Sequence, residues 1–389
     1  MPAGVIGVLA LVVAVQMVEA RACDPQPTTP DTTTPTPAPT APSAEVVTTT
    51  DGVRFTIETV ATSLEVPWSM AFAPDGRLFV TERAGRVRIL DLASRRSDLA
   101  LTLDDVFAQN EAGLLGLALD PDFALTRHVF VYYTARRATG GAVNRVVRYR
   151  EVGSTLAEPV VLLDNIPAAA IHDGGRVRFG PDGLLYVTTG DAANTALAQD
   201  LGSLVGKILR LNRDGSTPRT NPFGSPIYSY GHRNPQGLDW HPATGDLWAS
   251  EHGNIGNDEI NVIEAGANFG WPTIQGSQSM TGMRTPVSFY NPAVAPSGAS
   301  FYRGDRFPRF VNNLFVATLR GTHLLRLRID PASTRRLAAE ERLLEGTFGR
   351  LRDVVTGPDG LLYVATNNRD GRGAPAAVDD RILRLVPAP

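Results

Sequence analysis

The sequence predicts an all-β protein, a six-bladed β-propeller, on three observations. A strand–turn–strand phrase recurs along the chain, its copies stand about one blade apart, and no long stretch carries a 3.6-residue apolar period. From Met70 to Thr81 the phrase reads Met-Ala-Phe-Ala-Pro-Asp-Gly-Arg-Leu-Phe-Val-Thr. It returns over Val177–Thr188 and Val354–Ala365, more loosely over Leu117–Phe123 and Leu238–Ala249, and in degenerate form from Ser300 to Pro308 before Leu314-Phe-Val-Ala.

Each copy sets alternating apolar residues on both sides of a Pro/Asp/Gly turn, which is a hairpin signal. The anchoring prolines Pro74, Pro121, Pro181, Pro242, Pro308 and Pro358 are separated by roughly 45 to 65 residues, the length of a four-stranded blade with a loop. Six copies predict six blades. Such a fold gathers loops from separate blades around one channel, so a site is sought among loops distant in sequence.

The 389 residues include 37 basic and 40 acidic side chains, a formal net charge of −3. No basic surplus points to a nucleic-acid partner. The 37 glycines and 29 prolines suit a turn-rich fold. An apolar run, Val5–Val18, followed by Ala20 and Ala22, reads as a signal peptide over 1–22, although no Lys or Arg precedes it. The chain is therefore expected to be exported, periplasmic or extracellular. Cys23 is the single cysteine, which excludes an internal disulfide framework. It reads either as a lipid-attachment site, hence a membrane tether, or as an incidental residue near the cleavage point; Arg21 spoils a clean lipobox. A Thr/Pro-rich, disordered linker is expected over 23–50 and the propeller over 51–389.

Four polar, Gly-rich segments interrupt the strands. Ile171-His-Asp-Gly-Gly-Arg offers an imidazole beside flexible glycines, suited to a general base. Tyr230-Gly-His-Arg-Asn-Pro-Gln-Gly is a dense donor set for an oxygen-rich ligand. Glu251–Asn261 combines carboxylates and carbonyls around glycines, the hard oxygen ligands calcium uses, without EF-hand spacing. Gly349-Arg-Leu-Arg-Asp places Arg350 and Arg352 two residues apart, on one side of a strand, with Arg320 on the blade before. Convergent arginines suit carboxylates or phosphates. No Gly-x-Ser-x-Gly elbow, P-loop or Cys-x-x-Cys pair is present.

Together these segments resemble the soluble aldose (glucose/sorbosone) dehydrogenases that use pyrroloquinoline quinone (PQQ). The resemblance runs from about residue 55 to 386 and is carried by Glu111-Ala-Gly-Leu-Leu-Gly, His172 with Gly175-Arg176, Arg233-Asn-Pro-Gln-Gly, the 253–261 loop with Asn268-Phe-Gly-Trp-Pro, and Arg350-Leu-Arg-Asp. It implies a six-bladed propeller holding PQQ with calcium. Arg320, Arg350 and Arg352 match positions that hold the cofactor's carboxylates; Asn234 and His252 match cofactor contacts. Gly253 and Asn254 match positions that offer carbonyls to calcium, and Asp258 and Glu259 an acidic pair at a second, structural calcium. His172 would take the proton from the anomeric hydroxyl as hydride passes to the quinone and a lactone leaves, with Arg233 polarising the quinone oxygen. Glu111 and Gln236 fall on the substrate side, and an external acceptor would remove the electrons.

The chain departs from better-known members at Glu111 (Gln there), Ile171 (Asp), Arg320 (Lys), Asn254 (Pro), and at Phe289-Tyr-Asn, which lacks a Trp. The substrate-side changes predict a broad aldose dehydrogenase. Two rivals share the fold: a calcium-dependent lactonase, against which the arginine set argues, and a non-catalytic, envelope-tethered binding propeller, against which His172 and Arg233 argue.

Overall fold

The computed structural model describes residues 45–389. The signal peptide, Cys23 and the linker as far as residue 44 lie outside the described residues. Six antiparallel sheets follow in sequence order, almost without helix. Their first strands are Pro67–Phe72, Leu114–Leu119, Val177–Phe179, Pro235–Trp240, Pro296–Phe301 and Leu351–Thr356, and these define blades 1 to 6. Each first strand touches the first strands of the two neighbouring blades, and blade 6 touches blade 1, so the six close into a ring around a channel. This is the expected propeller. Three of these strands open with proline, a residue tolerated there because the inner strand is a sheet edge.

Each of the six anchoring prolines stands between the first and second strands of its blade. The turns of the three clean copies are built alike. Gly76, Gly183 and Gly360 donate to the carbonyls of Ala73, Gly180 and Gly357. Asp75, Asp182 and Asp359 accept the N–H two residues on. The glycines take φ of 88°, 74° and 76°, a region that disfavours side chains. The second strands that follow, such as Leu78–Glu82, Leu185–Thr189 and Leu362–Thr366, are buried along their whole length. The repeat is thus a local turn joined to a core strand.

Blade 6 takes its outer strand from the other end of the chain. Arg54–Ala61 pairs with Ile382–Pro387, Phe55 opposite Pro387 and Glu58 opposite Arg384. Strand pairing is present ahead of residue 51, where Val47–Thr48 pairs with Arg54–Phe55. The buried guanidinium of Arg326 fixes the intervening turn through two 2.8 Å bonds to Asp51.

Candidate active site at the channel mouth

The segments that lead into the first strands meet at the channel end opposite the Pro-Asp-Gly turns. Glu111, His172, Arg233 and Arg350 all stand just before such strands, and His252 and Arg320 just after second strands.

His172 is organised most tightly. Its Nδ1 lies 2.8 Å from Oδ1 of Asp191. Asp191 is fully buried; its Oδ1 also accepts from Ala193 N, and its Oδ2 accepts from Trp271 Nε1 at 2.9 Å. The carboxylate requires a proton on Nδ1, which leaves the Nε2 lone pair without a protein partner on a side chain 14 % exposed. The His172 backbone has φ 61°, an unfavourable conformation for a residue with a Cβ. Glu111 holds it by accepting the His172 N–H at 3.2 Å. Asp191 and Trp271 were not singled out in the sequence; their one signal is an acid directly after the buried strand Leu185–Thr189 and its Gly190.

Glu111 joins three loops. Besides His172 it accepts from Asn234 Nδ2 at 3.4 Å and from Arg372 at 2.9 Å. Burial works to raise its carboxyl, but His252, Arg372 and the His172 N–H prevail and hold it at about 2. Burial pushes His252 down to about 4, so at neutral pH His252 is uncharged and Arg372 supplies the positive charge. Asn234 is fully buried and accepts from Gly174 N at 3.0 Å. Arg233 donates to the His252 carbonyl and lies 5.3 Å from the Trp271 ring.

One layer down, the second residues of four inner strands make a polar plug. Arg352 Nη1 donates to Gln236 Oε1 at 2.8 Å and to Ser297 Oγ at 3.3 Å. Ser297 Oγ donates to the same Gln236 oxygen at 3.1 Å. Trp68 lies between two cations, 4.5 Å from Arg176 and 5.6 Å from Arg352. Gln236 is 4 % exposed, and its Oε1 serves Arg352 and Ser297 in the channel wall.

Arg320, Arg350 and Arg352 differ in their surroundings. The pairing register shifts between Leu351 and Asp353, which breaks the two-residue alternation. Arg350 pairs with Asp370 at 2.7 Å, while Arg352 is buried, donates its hydrogen bonds to the neutral Gln236 and Ser297, and is pushed down to about 9 by that burial. Arg320 is exposed and shares with Arg350 and Arg372 the lining of a cavity of about 530 Å³.

The expected calcium loop divides. Asp258 is committed to backbone: Oδ1 accepts from Gly253 N, and Oδ2 from Val294 N and Ala295 N, each at 2.7 to 2.8 Å. Three N–H bonds hold this 2 %-exposed side chain as a loop clamp. Glu259 keeps the electrostatics of a cation ligand. Burial, and Glu251 beside it, push its carboxyl up to about 7, a penalty that a cation would relieve. Gly253 is packed so closely that a Cβ would lie 2.1 Å from the Gly256 carbonyl. Asn254 is exposed. Among the described residues no three His, Cys, Asp or Glu side chains converge on a point, so a cation at Gly253 and Asn254 would rely on carbonyl oxygens.

Arg233 Nε, Arg352 Nε and His252 Nε2 are buried without hydrogen-bond partners. Buried polar groups are nearly always satisfied. Orphaned donors around one mouth fit a ligand rich in anionic oxygen, which a quinone tricarboxylate is. Fold and mouth together define the class, a propeller whose channel mouth carries the His172–Asp191 pair beside buried, unpaired polar groups. The family model for glucose/sorbosone dehydrogenase matches residues 64–383, and the chain belongs to that family. It is 32 % identical to the aldose sugar dehydrogenase YliI of Escherichia coli over 340 residues, covering 81 % of this chain and 91 % of the relative. Its identity to quinoprotein glucose dehydrogenase B of Acinetobacter calcoaceticus is 28 %, over 81 % and 86 % of the two chains. The PQQ-bound aldose sugar dehydrogenase of Streptomyces coelicolor superposes with a TM-score of 0.77 at 39 % identity, over 85 % of this chain and 98 % of that one.

Proposed function

We propose that this protein oxidises aldoses at the anomeric carbon to lactones, with PQQ as its bound oxidant, and that it accepts a range of sugars. The observation that carries this reading is the His172–Asp191 pair at 2.8 Å, which leaves one imidazole nitrogen available as a base beside the orphaned donors. When bound, the quinone supplies a two-electron acceptor for the hydrogen on the anomeric carbon.

The chain's own residues do the rest. His172 Nε2 takes the proton of the anomeric hydroxyl, and Asp191 stabilises the imidazolium that results. Arg233 offers positive charge where the oxidant gains electron density. Arg320, Arg350 and Arg352 would hold the cofactor's carboxylates, Asn234 and His252 would line it, and the Gly253 and Asn254 carbonyls would hold a calcium. Glu259, with Asp258 beside it, would stand at a second calcium. An external acceptor then removes two electrons. Broad specificity follows from Glu111, whose carboxylate is occupied by Arg372, Asn234 and the His172 N–H and so has little left with which to choose a sugar. The segment 1–22 directs export, and Cys23 is the point to test for a lipid tether.

The test is reconstitution. Protein made without cofactor receives PQQ and calcium, and reduction of an artificial acceptor is followed with several aldoses. Turnover with more than one sugar is expected; no reduction with any of them would sink the reading.

A further inference from the structure

Asp173 follows His172 directly and is 3 % exposed. Its Oδ1 accepts from Asn144 Nδ2 at 2.8 Å and from Ala169 N at 3.2 Å. Its Oδ2 is buried and meets no donor. Its backbone carbonyl accepts from the Tyr132 hydroxyl at 2.9 Å. Among the described residues no cation bears on the carboxyl. Asn144 and Tyr132, both from blade 2, are neutral, the connection 167–170 is Pro-Ala-Ala-Ala, and the charge that bears on Asp173 is the Glu111 carboxylate. An anion sealed among neutral groups and repelled by a second anion is costly, whereas a neutral acid forfeits only one hydrogen bond.

The same loop needs pinning on both sides, because His172 sits at φ 61°. Glu111 pins it at the His172 N–H. On the other side the Asp173 carboxyl ties it to blade 2 and Asn234 ties Gly174. We propose that Asp173 is a positioning residue for the reaction at His172: as a neutral acid it pins the loop that presents the imidazole, and as an anion it releases that loop. The catalytic half of this inference rests on the proposed role of His172 as base. Burial pushes the carboxyl up to about 7, with Asn144 and Ala169 opposing and Glu111 adding to the rise. The change therefore falls within working pH. Glu259 titrates in the same range, so a variant at Asp173 must carry the test.

The experiment compares full-length wild type with Asp173→Asn, which keeps the shape and removes the charge. Two readouts are followed against pH: hydrogen-exchange protection of the amides from His172 to Gly175, and kcat with KM for an aldose. In wild type, protection is expected to drop above about pH 7, and kcat to fall about tenfold from pH 6 to pH 8 with KM unchanged. In Asp173→Asn both are expected to stay level, within about threefold. If the variant keeps the wild-type fall in protection, the inference is wrong. If neither protein oxidises any sugar, the proposed function fails, and the exchange data still decide whether Asp173 controls the loop. Should the variant not fold, infrared titration of Glu259→Gln decides, since it removes the other carboxyl of that range and leaves Asp173; a carboxylic-acid band must then vanish between about pH 6 and 8, and its absence overturns the inference.

Discussion

Nδ1 of His172 and Oδ1 of Asp191 stand 2.8 Å apart, with Asp191 itself anchored by the indole of Trp271. The pair fixes the imidazole tautomer before any ligand arrives. Asp191→Asn keeps the volume and can present a donor where an acceptor is needed, which favours the wrong tautomer. We expect kcat to fall by about 10² or more with little change in KM. Steady-state kinetics checks this; a variant within twofold of wild type would show that Asp191 does not set the tautomer.

Arg352 is a buried cation whose side-chain hydrogen bonds go to the neutral Gln236 and Ser297. Keeping such a charge is unfavourable until an anion joins it. Arg352→Met should therefore leave the Tm of cofactor-free protein unchanged or raised. It should also abolish most of the rise in Tm on adding PQQ, which in wild type corresponds to about 2.7 kcal/mol at a hundred times Kd. Differential scanning fluorimetry with and without PQQ separates the two effects.

Glu111 bears on acid stability. Its folded pKa of about 2 lies below the usual carboxylate value. The stability it contributes is therefore present above the unfolded pKa near 4.5 and lost as pH falls toward 2, a contribution on the order of 2 kcal/mol. Glu111→Gln should lose stability at pH 7 and show a shallower decline between pH 5 and 2. Urea unfolding at several pH values tests it; parallel curves for the two proteins would contradict the assignment.

The Gly253 carbonyl can be displaced without touching its chemistry. A Cβ at Gly253 would lie 2.1 Å from the Gly256 carbonyl oxygen and 2.4 Å from Asn257 backbone atoms, so Gly253→Ala must move the loop. A shift on the order of 1 Å costs about 10² in rate, and we expect loss of that order together with weaker calcium-dependent PQQ binding. Asn254→Ala leaves a backbone carbonyl in place and should bind calcium and PQQ as wild type does. Calorimetry with calcium and PQQ distinguishes the pair.

The repeat was legible because its chemistry is local. Asp75 meets an N–H two residues away and Gly76 a carbonyl three residues back. The loops were legible as polar interruptions, and Glu111 joins those of His172 and Asn234. Less legible was how each polar group is used. The clamp role of Asp258 could not be read from the sequence, because the turn at Val294 and Ala295 brings two N–H groups to it from over thirty residues away. That Gln236 meets Arg352 could not be read from the sequence, because the two stand on separate blades with Ser297 of the blade between them.

By itself, then, the sequence determined the blades, the turn ends and the set of chemical groups at the opposite end, since each depends on neighbours a few residues apart. Only the tertiary structure decided which groups are free. The acid that holds His172, the cation that occupies Glu111 and the orphaned oxygen of Asp173 all depend on burial and on partners from other blades. Closing the ring sets those distances, and no periodicity along the chain encodes them.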